Sequence, residues 1–209
     1  MTAKWACSLR EDLAGLVTKP GAHADLRSGL RKAPTDCTRL HKYLWRHTKG
    51  AEPRDIAVYT VAALCGAHPE LVSDRRDTKG TTVGEALAQA SLAPTHPISK
   101  EGAFQRLMNL ARQPQPGLAA QLVSLVPALL RAGALFDVAQ LADDMASWPY
   151  NRARVTRRWI NDYARTMART QAESGSGTNE AELSSQPDGS PQLPTLVTGQ
   201  EPSNGPSTR

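Results

Sequence analysis

Arginines are concentrated in one stretch of this sequence, residues 151–171, and their side chains are suited to binding phosphate. The stretch contains six arginines and a single acidic residue, Asp162. Because a guanidinium group stays positively charged at physiological pH, arginines at this density predict a polyanionic ligand, with nucleic acid as the best candidate. The arginines here that we predict to contact phosphate are Arg154, Arg157, Arg158, Arg165 and Arg169.

A helix is predicted to carry these arginines. Asn151 follows Pro149-Tyr150 and is a suitable N-cap, and neither Gly nor Pro interrupts the next twenty residues. At about 100° per residue the apolar side chains share one arc, and most of the arginines lie opposite to it. The predicted core face consists of Val155, Trp159, Ile160, Tyr163 and Met167.

The first arginines of the stretch lie at the N-terminal end of the predicted helix, where positive charge is least favourable. Arg152 and Arg154 fall in the first turn, where the positive end of the helix dipole disfavours each by about 0.3–1 kcal/mol. Contact with an anion is our interpretation of this placement. The alternative is a solvated basic face that only keeps the protein soluble.

Two further groups of basic residues are candidates for phosphate contact. Arg27 and Arg31 are four residues apart on a helix predicted over 22–32, so both can reach one surface, with Lys32 beside them. The second group is spread over two later predicted helices, 99–112 and 117–131, and consists of Arg106, Arg112 and Arg131.

The sequence predicts an all-α protein, since no strand-like alternation rises above noise, and the proline-flanked stretch PTHP (94–97) is predicted to separate two lobes. The predicted divisions are an N-terminal lobe over 1–93, a C-terminal lobe over 94–171 and a tail over 172–209. Of the 25 Lys and Arg residues only Arg209 lies beyond residue 171, together with five of the 20 acidic residues. This acidic tail, rich in Ser, Gly and Pro, is predicted to be disordered.

Three large aromatic residues near the arginines are predicted to be core anchors rather than platforms for bases, because they keep helical register with apolar neighbours. They are Trp148, Trp159 and Tyr163. On the helix that Ser99 is predicted to cap, Phe104 and Leu107 are expected to point toward the core. Asp143 and Asp144 point about 100° apart on a helix, and we interpret them as an exposed acid and a helix-end contact.

The sequence lacks the signatures of several classes of function. The three widely spaced cysteines, Cys7, Cys37 and Cys65, form no CxxC pair, so we predict no disulfide framework, no metal and no cofactor. The chain begins with no signal peptide, and its longest apolar run, 118–130, is too short to span a membrane, which predicts a soluble cytoplasmic protein. Without a catalytic motif or a glycine-rich phosphate loop, we predict that it is not an enzyme.

From Leu30 to Arg165 the sequence resembles the CasB family, the small subunit of the type I-E CRISPR Cascade complex. The resemblance rests on the segments LRKA (30–33), GTTVGEAL (80–87), FQRLM (104–108) and LVSLVPALL (122–130). It continues in a spaced series, Asp137, Leu141, Asp144, Trp148, Val155, Trp159 and Tyr163. The sequence departs from the family at Gly102 and Ala103, where charged residues are expected, and at Val123, where an arginine is common.

The resemblance implies a non-catalytic all-α subunit of two small helical bundles packed together, present as two copies in a complex. The implied partners are CRISPR guide RNA paired with target DNA, the displaced DNA strand, the repeated backbone subunits, the large subunit and a second copy of the chain, with no membrane. Phosphate contacts would stabilise the R-loop in antiviral defence without reading its sequence. The alternatives are a freestanding DNA-binding protein of the helix-turn-helix type and a helical adaptor that binds an acidic protein.

Overall fold

The chain is helical throughout the part that the structure describes. This computed structural model describes residues 2–50, 52–73, 78–94 and 98–182, with the backbone alone for 174–182. These residues contain α-helices, a 3-10 turn at Pro34–Asp36 and no strand, which confirms the all-α prediction. The helices are α1 (Lys4–Val17), α2 (Pro20–Ser28), α3 (Thr38–Leu44), α4 (Glu52–Ala67), α5 (Glu70–Ser73), α6 (Val83–Leu92), α7 (Lys100–Arg112), α8 (Gln115–Arg131) and α9 (Val138–Glu182).

Helix α2 ends earlier than the sequence predicts, and a turn follows it. Helix α2 ends at Ser28 rather than near Lys32, because the amide of Gly29 bonds back to Leu26 O at 3.1 Å and Arg31 has a left-handed φ of 63°. Arg27 and Arg31 therefore do not share a helix, which corrects the prediction. Pro34 then begins the 3-10 turn, so that α3 starts only at Thr38.

Helix α4 forms the centre of the N-terminal part. From Ala57 to Gly66 its residues are buried on every side except at the half-buried Thr60, and it packs against α1, α2 and α8. Gly66 allows the close approach of α2, since a Cβ there would lie 2.6 Å from Leu26 Cβ. Gln115 Nε2 donates to Pro53 O at 2.6 Å and to Met145 O at 2.7 Å, which ties the starts of α4 and α8 to α9.

The starts of α7 and α9 carry side-chain caps, and the cap at Ser99 confirms the prediction. Ser99 Oγ accepts a hydrogen bond from Gly102 N at 3.0 Å at the start of α7, and Asp137 Oδ1 accepts one from Ala139 N at 2.9 Å at the start of α9. On α7, Leu107 is buried as predicted. Phe104 is 40% exposed, with its ring centroid 5.8 Å from that of Tyr163, so it lies at the border of the core rather than inside it.

Helix α9 consists of two arms, 138–150 and 152–182, that meet at a kink. Asn151, the predicted N-cap, has non-helical angles there (φ −129°, ψ 22°), directly after Pro149 and Tyr150. A straight helix would separate Asp144 from Trp159 by about 22 Å, yet Trp159 Nε1 donates to Asp144 Oδ2 at 2.7 Å. The kink therefore brings the beginning of the second arm, around Trp159, back against the first arm.

The chain divides into two units, residues 1–172 and 173–209. The first unit is built around one contiguous hydrophobic core. Helix α9 ends at Glu182, beyond the start of the predicted tail at residue 172, and residues 183–209 lie outside the described residues. The predicted division into lobes at residues 93 and 94 stays a prediction, and 95–97 also lie outside the described residues.

Gly84 sets the closest approach between α6 and the second arm of α9. A Cβ at this position would overlap the backbone carbonyl of Trp159. Gly84→Ala is therefore expected to destabilise the protein by about 1–3 kcal/mol, because the arginine-bearing arm must shift to make room. The free energy of unfolding, from urea denaturation, measures the effect.

Gly15 provides the matched control for that substitution. It also lies inside a helix, α1, but its Cβ would meet nothing within 4 Å. Gly15→Ala is therefore expected to stabilise the protein by about 0.5–1 kcal/mol. If Gly84→Ala and Gly15→Ala both stabilised the protein, or both destabilised it, the close approach of the two helices at Gly84 would be contradicted.

Candidate nucleic-acid interface

A shallow depression of about 480 Å³ lies on the second arm of α9. Arginine side chains dominate its lining, and three of the five arginines predicted from this stretch remain exposed there. The lining residues are Ala153, Arg154, Arg157, Arg158, Asn161, Asp162 and Arg165. This spacing presents guanidinium groups over about three helical turns, which suits a ligand with repeated negative charges.

The opposite face of the same arm fixes its position. Val155, Trp159 and Tyr163 are buried, and Ile160 and Met167 are partly buried against the core, as the helical periodicity predicts. The rings of Trp148 and Trp159 lie 5.3 Å apart, and Trp148 Nε1 donates to Gln113 O at 3.0 Å. The predicted core anchors are confirmed, and the arginines stand on a rigid element.

Arg158 differs from its neighbours and from the prediction. Its Nη2 donates to Asp144 Oδ1 on the first arm, and Asp144 is only 3% exposed. Gln140 Nε2 also donates to Asp144 Oδ1 at 2.9 Å, beside the bond from Trp159. The guanidinium of Arg158 is therefore engaged inside the fold, and Asp144 is a buried acceptor rather than the surface or helix-end acid that the sequence suggests.

The Asp144 carboxylate depends on these three donors. Burial raises the pKa of Asp144 above its ordinary value of 3.8, and the hydrogen bonds from Arg158, Trp159 and Gln140 oppose that shift. A buried carboxylate without such partners is costly to ionise. Arg158 consequently acts as a positioning residue that joins the two arms of α9 under the depression.

Asp162 is the one acid in the lining, and it is directed partly toward the loop before α6. Thr82 Oγ1 donates to Asp162 Oδ2 at 3.0 Å, while Arg165 Nη1 lies 3.6 Å from Asp162 Oδ1. The Arg165 side chain is 75% exposed, and an ion pair this exposed contributes about 0–1 kcal/mol. Arg165 therefore stays available to an external anion.

The other predicted residues do not join the depression. Arg31 and Lys32 are exposed and line a separate cavity of about 810 Å³ between the turn at 29–35, α4 and α8. The remaining candidates are exposed and line neither cavity; they are Arg27, Arg106, Arg112, Arg131 and Arg169.

One basic surface is absent from the sequence-based candidates. Residues 38–50 contain Arg39, Lys42, Arg46 and Lys49 but no acidic residue, and they include Trp45, which is 56% exposed. The combination of an aromatic residue with cations and no acid was the signal in the sequence that could have identified it.

Neither a metal site nor a membrane span is apparent in the described ranges. In these ranges no three His, Cys, Asp or Glu side chains are grouped so that they could hold a metal ion. No helix there combines the length and the apolar character that a membrane crossing requires.

Comparisons with known proteins give one consistent family. The family model described as CRISPR-associated protein Cse2 matches residues 22–163. A chain of a solved "CRISPR RNA-guided surveillance complex" is 29% identical with a TM-score of 0.67, over 82% of this chain and 98% of that chain. A chain of such a complex described as "pre-nicking" is 26% identical with a TM-score of 0.73, over the same shares.

A third solved structure shares the fold. CasB from Thermobifida fusca is 18% identical with a TM-score of 0.60, over 78% of this chain and 99% of that chain. Among curated proteins, the comparison finds no match.

Proposed function

This chain belongs to the CRISPR-associated protein Cse2 family, and we propose that it is the non-catalytic small subunit of a type I-E, Cascade-like CRISPR surveillance complex. Two similar chains, 29% and 26% identical, are described as parts of CRISPR RNA-guided surveillance complexes, and the likeness covers 98% of each. That coverage supports the same kind of assembly here. The proposed protein partners are the backbone subunits, the large subunit and a second copy of this chain.

The arginine depression on α9 is the observation that carries the nucleic-acid part of the proposal. Arg154, Arg157 and Arg165 are exposed there, on an arm whose other face is fixed in the core. Guanidinium groups held at fixed spacing can contact successive phosphates, and phosphate contacts carry no sequence information. The proposed ligands are the guide RNA–target DNA heteroduplex and the displaced DNA strand.

The proposed role is to stabilise the R-loop. Exchanging a DNA duplex for an RNA–DNA heteroduplex is nearly balanced in free energy, so modest contacts with the product strands shift the equilibrium toward opening. A subunit that contributes cations and no chemistry is sufficient for this task. Arg27, Arg31, Lys32, Arg106, Arg112, Arg131 and Arg169 are proposed as additional phosphate contacts on the exposed surface.

Binding of oligonucleotides by the purified chain tests this function. We expect dissociation constants of roughly 1–100 µM near physiological salt, and values within about threefold of one another for unrelated sequences. Fluorescence anisotropy with two unrelated single strands and their duplexes measures both. A preference of about a thousandfold for one duplex sequence would identify a helix-turn-helix protein instead, and binding to acidic proteins alone would identify an adaptor.

A further inference from the structure

An exposed tryptophan follows the short helix α3. Trp45 is 56% exposed, whereas Trp148 and Trp159 are buried. Trp5, the remaining tryptophan of the chain, is half-buried and covered by Arg54, whose guanidinium carbon lies 4.2 Å from the ring centroid. An indole is among the largest apolar side chains, and leaving it in water forgoes a large gain from burial.

The exposed residues flanking Trp45 in the chain are mostly cationic. Three carboxylates from the described residues also reach this segment, and each has a partner there: Asp25 bonds to Lys42, Asp12 to His47 and Asp55 to the amide of Lys49. The guanidinium carbon of Arg46 lies 5.3 Å from the Trp45 ring centroid, and more than half of the side chain stays exposed with Arg46 in place. Lys42 is held by Asp25 at 2.9 Å. Arg39, Arg46 and Lys49 are exposed and form no ion pair with any residue in the described ranges.

The backbone beneath the indole is fixed. The amide of Trp45 donates to His41 O at 3.0 Å, and its carbonyl accepts from Thr48 Oγ1 at 3.1 Å. Leu44, the preceding residue, is fully buried. The ring is therefore presented on an anchored turn, so binding on it orders few additional groups.

We infer that this surface, defined by Arg39, Trp45, Arg46 and Lys49, binds unpaired single-stranded nucleic acid, with one base stacked on the indole and the flanking phosphates near the cations. Every base offers an aromatic face, so such stacking tolerates any sequence. A duplex conceals these faces within its own stack, so the surface selects unpaired strands. The inference rests on the proposed function. It adds a second site, which requires an unpaired base, whereas the depression on α9 requires only phosphates.

Tryptophan emission provides a direct test, because Trp45 is the only tryptophan of the chain that is largely exposed. A single-stranded DNA of about 20 nucleotides, the same sequence as RNA and the DNA duplex are each titrated into the full chain. We expect the single strands to quench the emission and Trp45→Leu to weaken their binding roughly tenfold. Trp45→Phe should retain most of the affinity, and duplex binding should not change.

Salt dependence separates stacking from charge. Trp45→Leu removes no cation, so the slope of log K against log salt should stay unchanged, whereas Arg39→Gln with Lys49→Gln should flatten it by about 1.4 for a single strand. If Trp45→Leu binds single strands as the wild type does and their titration causes no quenching, the inference is overturned while the proposed function stands. If the wild type binds no oligonucleotide even at low salt, the proposed function and this inference both fail. Quenching by RNA alone or DNA alone supports the site and identifies the strand.

Discussion

Replacing Arg154, Arg157 and Arg165 together by glutamine is expected to weaken binding of single-stranded nucleic acid roughly a hundredfold, at about 1 kcal/mol for each lost contact. These three exposed guanidinium groups line the depression on α9. Because each phosphate contact releases counterions, the slope of log K against log salt should also flatten by about 2. Anisotropy titrations at several salt concentrations measure both quantities.

A matched triple substitution separates local contact from total charge. Lys4, Lys19 and Lys100 are exposed cations that line neither cavity, and their replacement by glutamine removes the same net charge. We expect the control variant to change affinity by less than about threefold and to leave the salt slope nearly intact. If both variants lost the same affinity for single-stranded nucleic acid, the depression would not be a specific phosphate-binding site.

The helices could be predicted from the sequence because burial on one face of a helix is a local, periodic property. Val155, Trp159 and Tyr163 are buried as their spacing predicts. The angle of the kink at Asn151 could not be predicted from the local sequence. A suitable cap residue marks the start of a new helix, but it does not determine the angle at which that helix leaves the previous one.

The contacts of Asp144 and Arg158 that the sequence did not predict have the same physical origin. Asp144 and Arg158 are fourteen residues apart and meet only because the kink folds the arms together. Charge alone predicts an exposed acid and an exposed arginine, although the family pattern does include Asp144. The predicted pairing of Arg27 with Arg31 failed because α2 ends at Ser28 and Arg31 has a left-handed φ of 63°, which a right-handed helix cannot contain.

Asp144→Ala is expected to lower the free energy of unfolding by about 3 kcal/mol, since it leaves buried donors without an acceptor. The donors are Trp159 Nε1, Gln140 Nε2 and Arg158 Nη2. For a chain of this size the loss corresponds to a decrease in melting temperature of about 6–12 °C. Differential scanning calorimetry measures it, with Asp143→Ala as the neighbouring control, expected to change stability by less than about 0.5 kcal/mol.

Arg158→Gln decides between the two roles of that arginine. If Arg158 joins the arms, this variant should lose stability, because Asp144 would keep its burial but lose its cationic partner. Its salt slope for single strands should then equal that of the wild type. If Arg158 contacts phosphate instead, the slope should flatten by about 0.7 while stability stays unchanged. The first outcome would establish Asp144 and Arg158 as the pair that holds the arginine-bearing arm in place for its ligand.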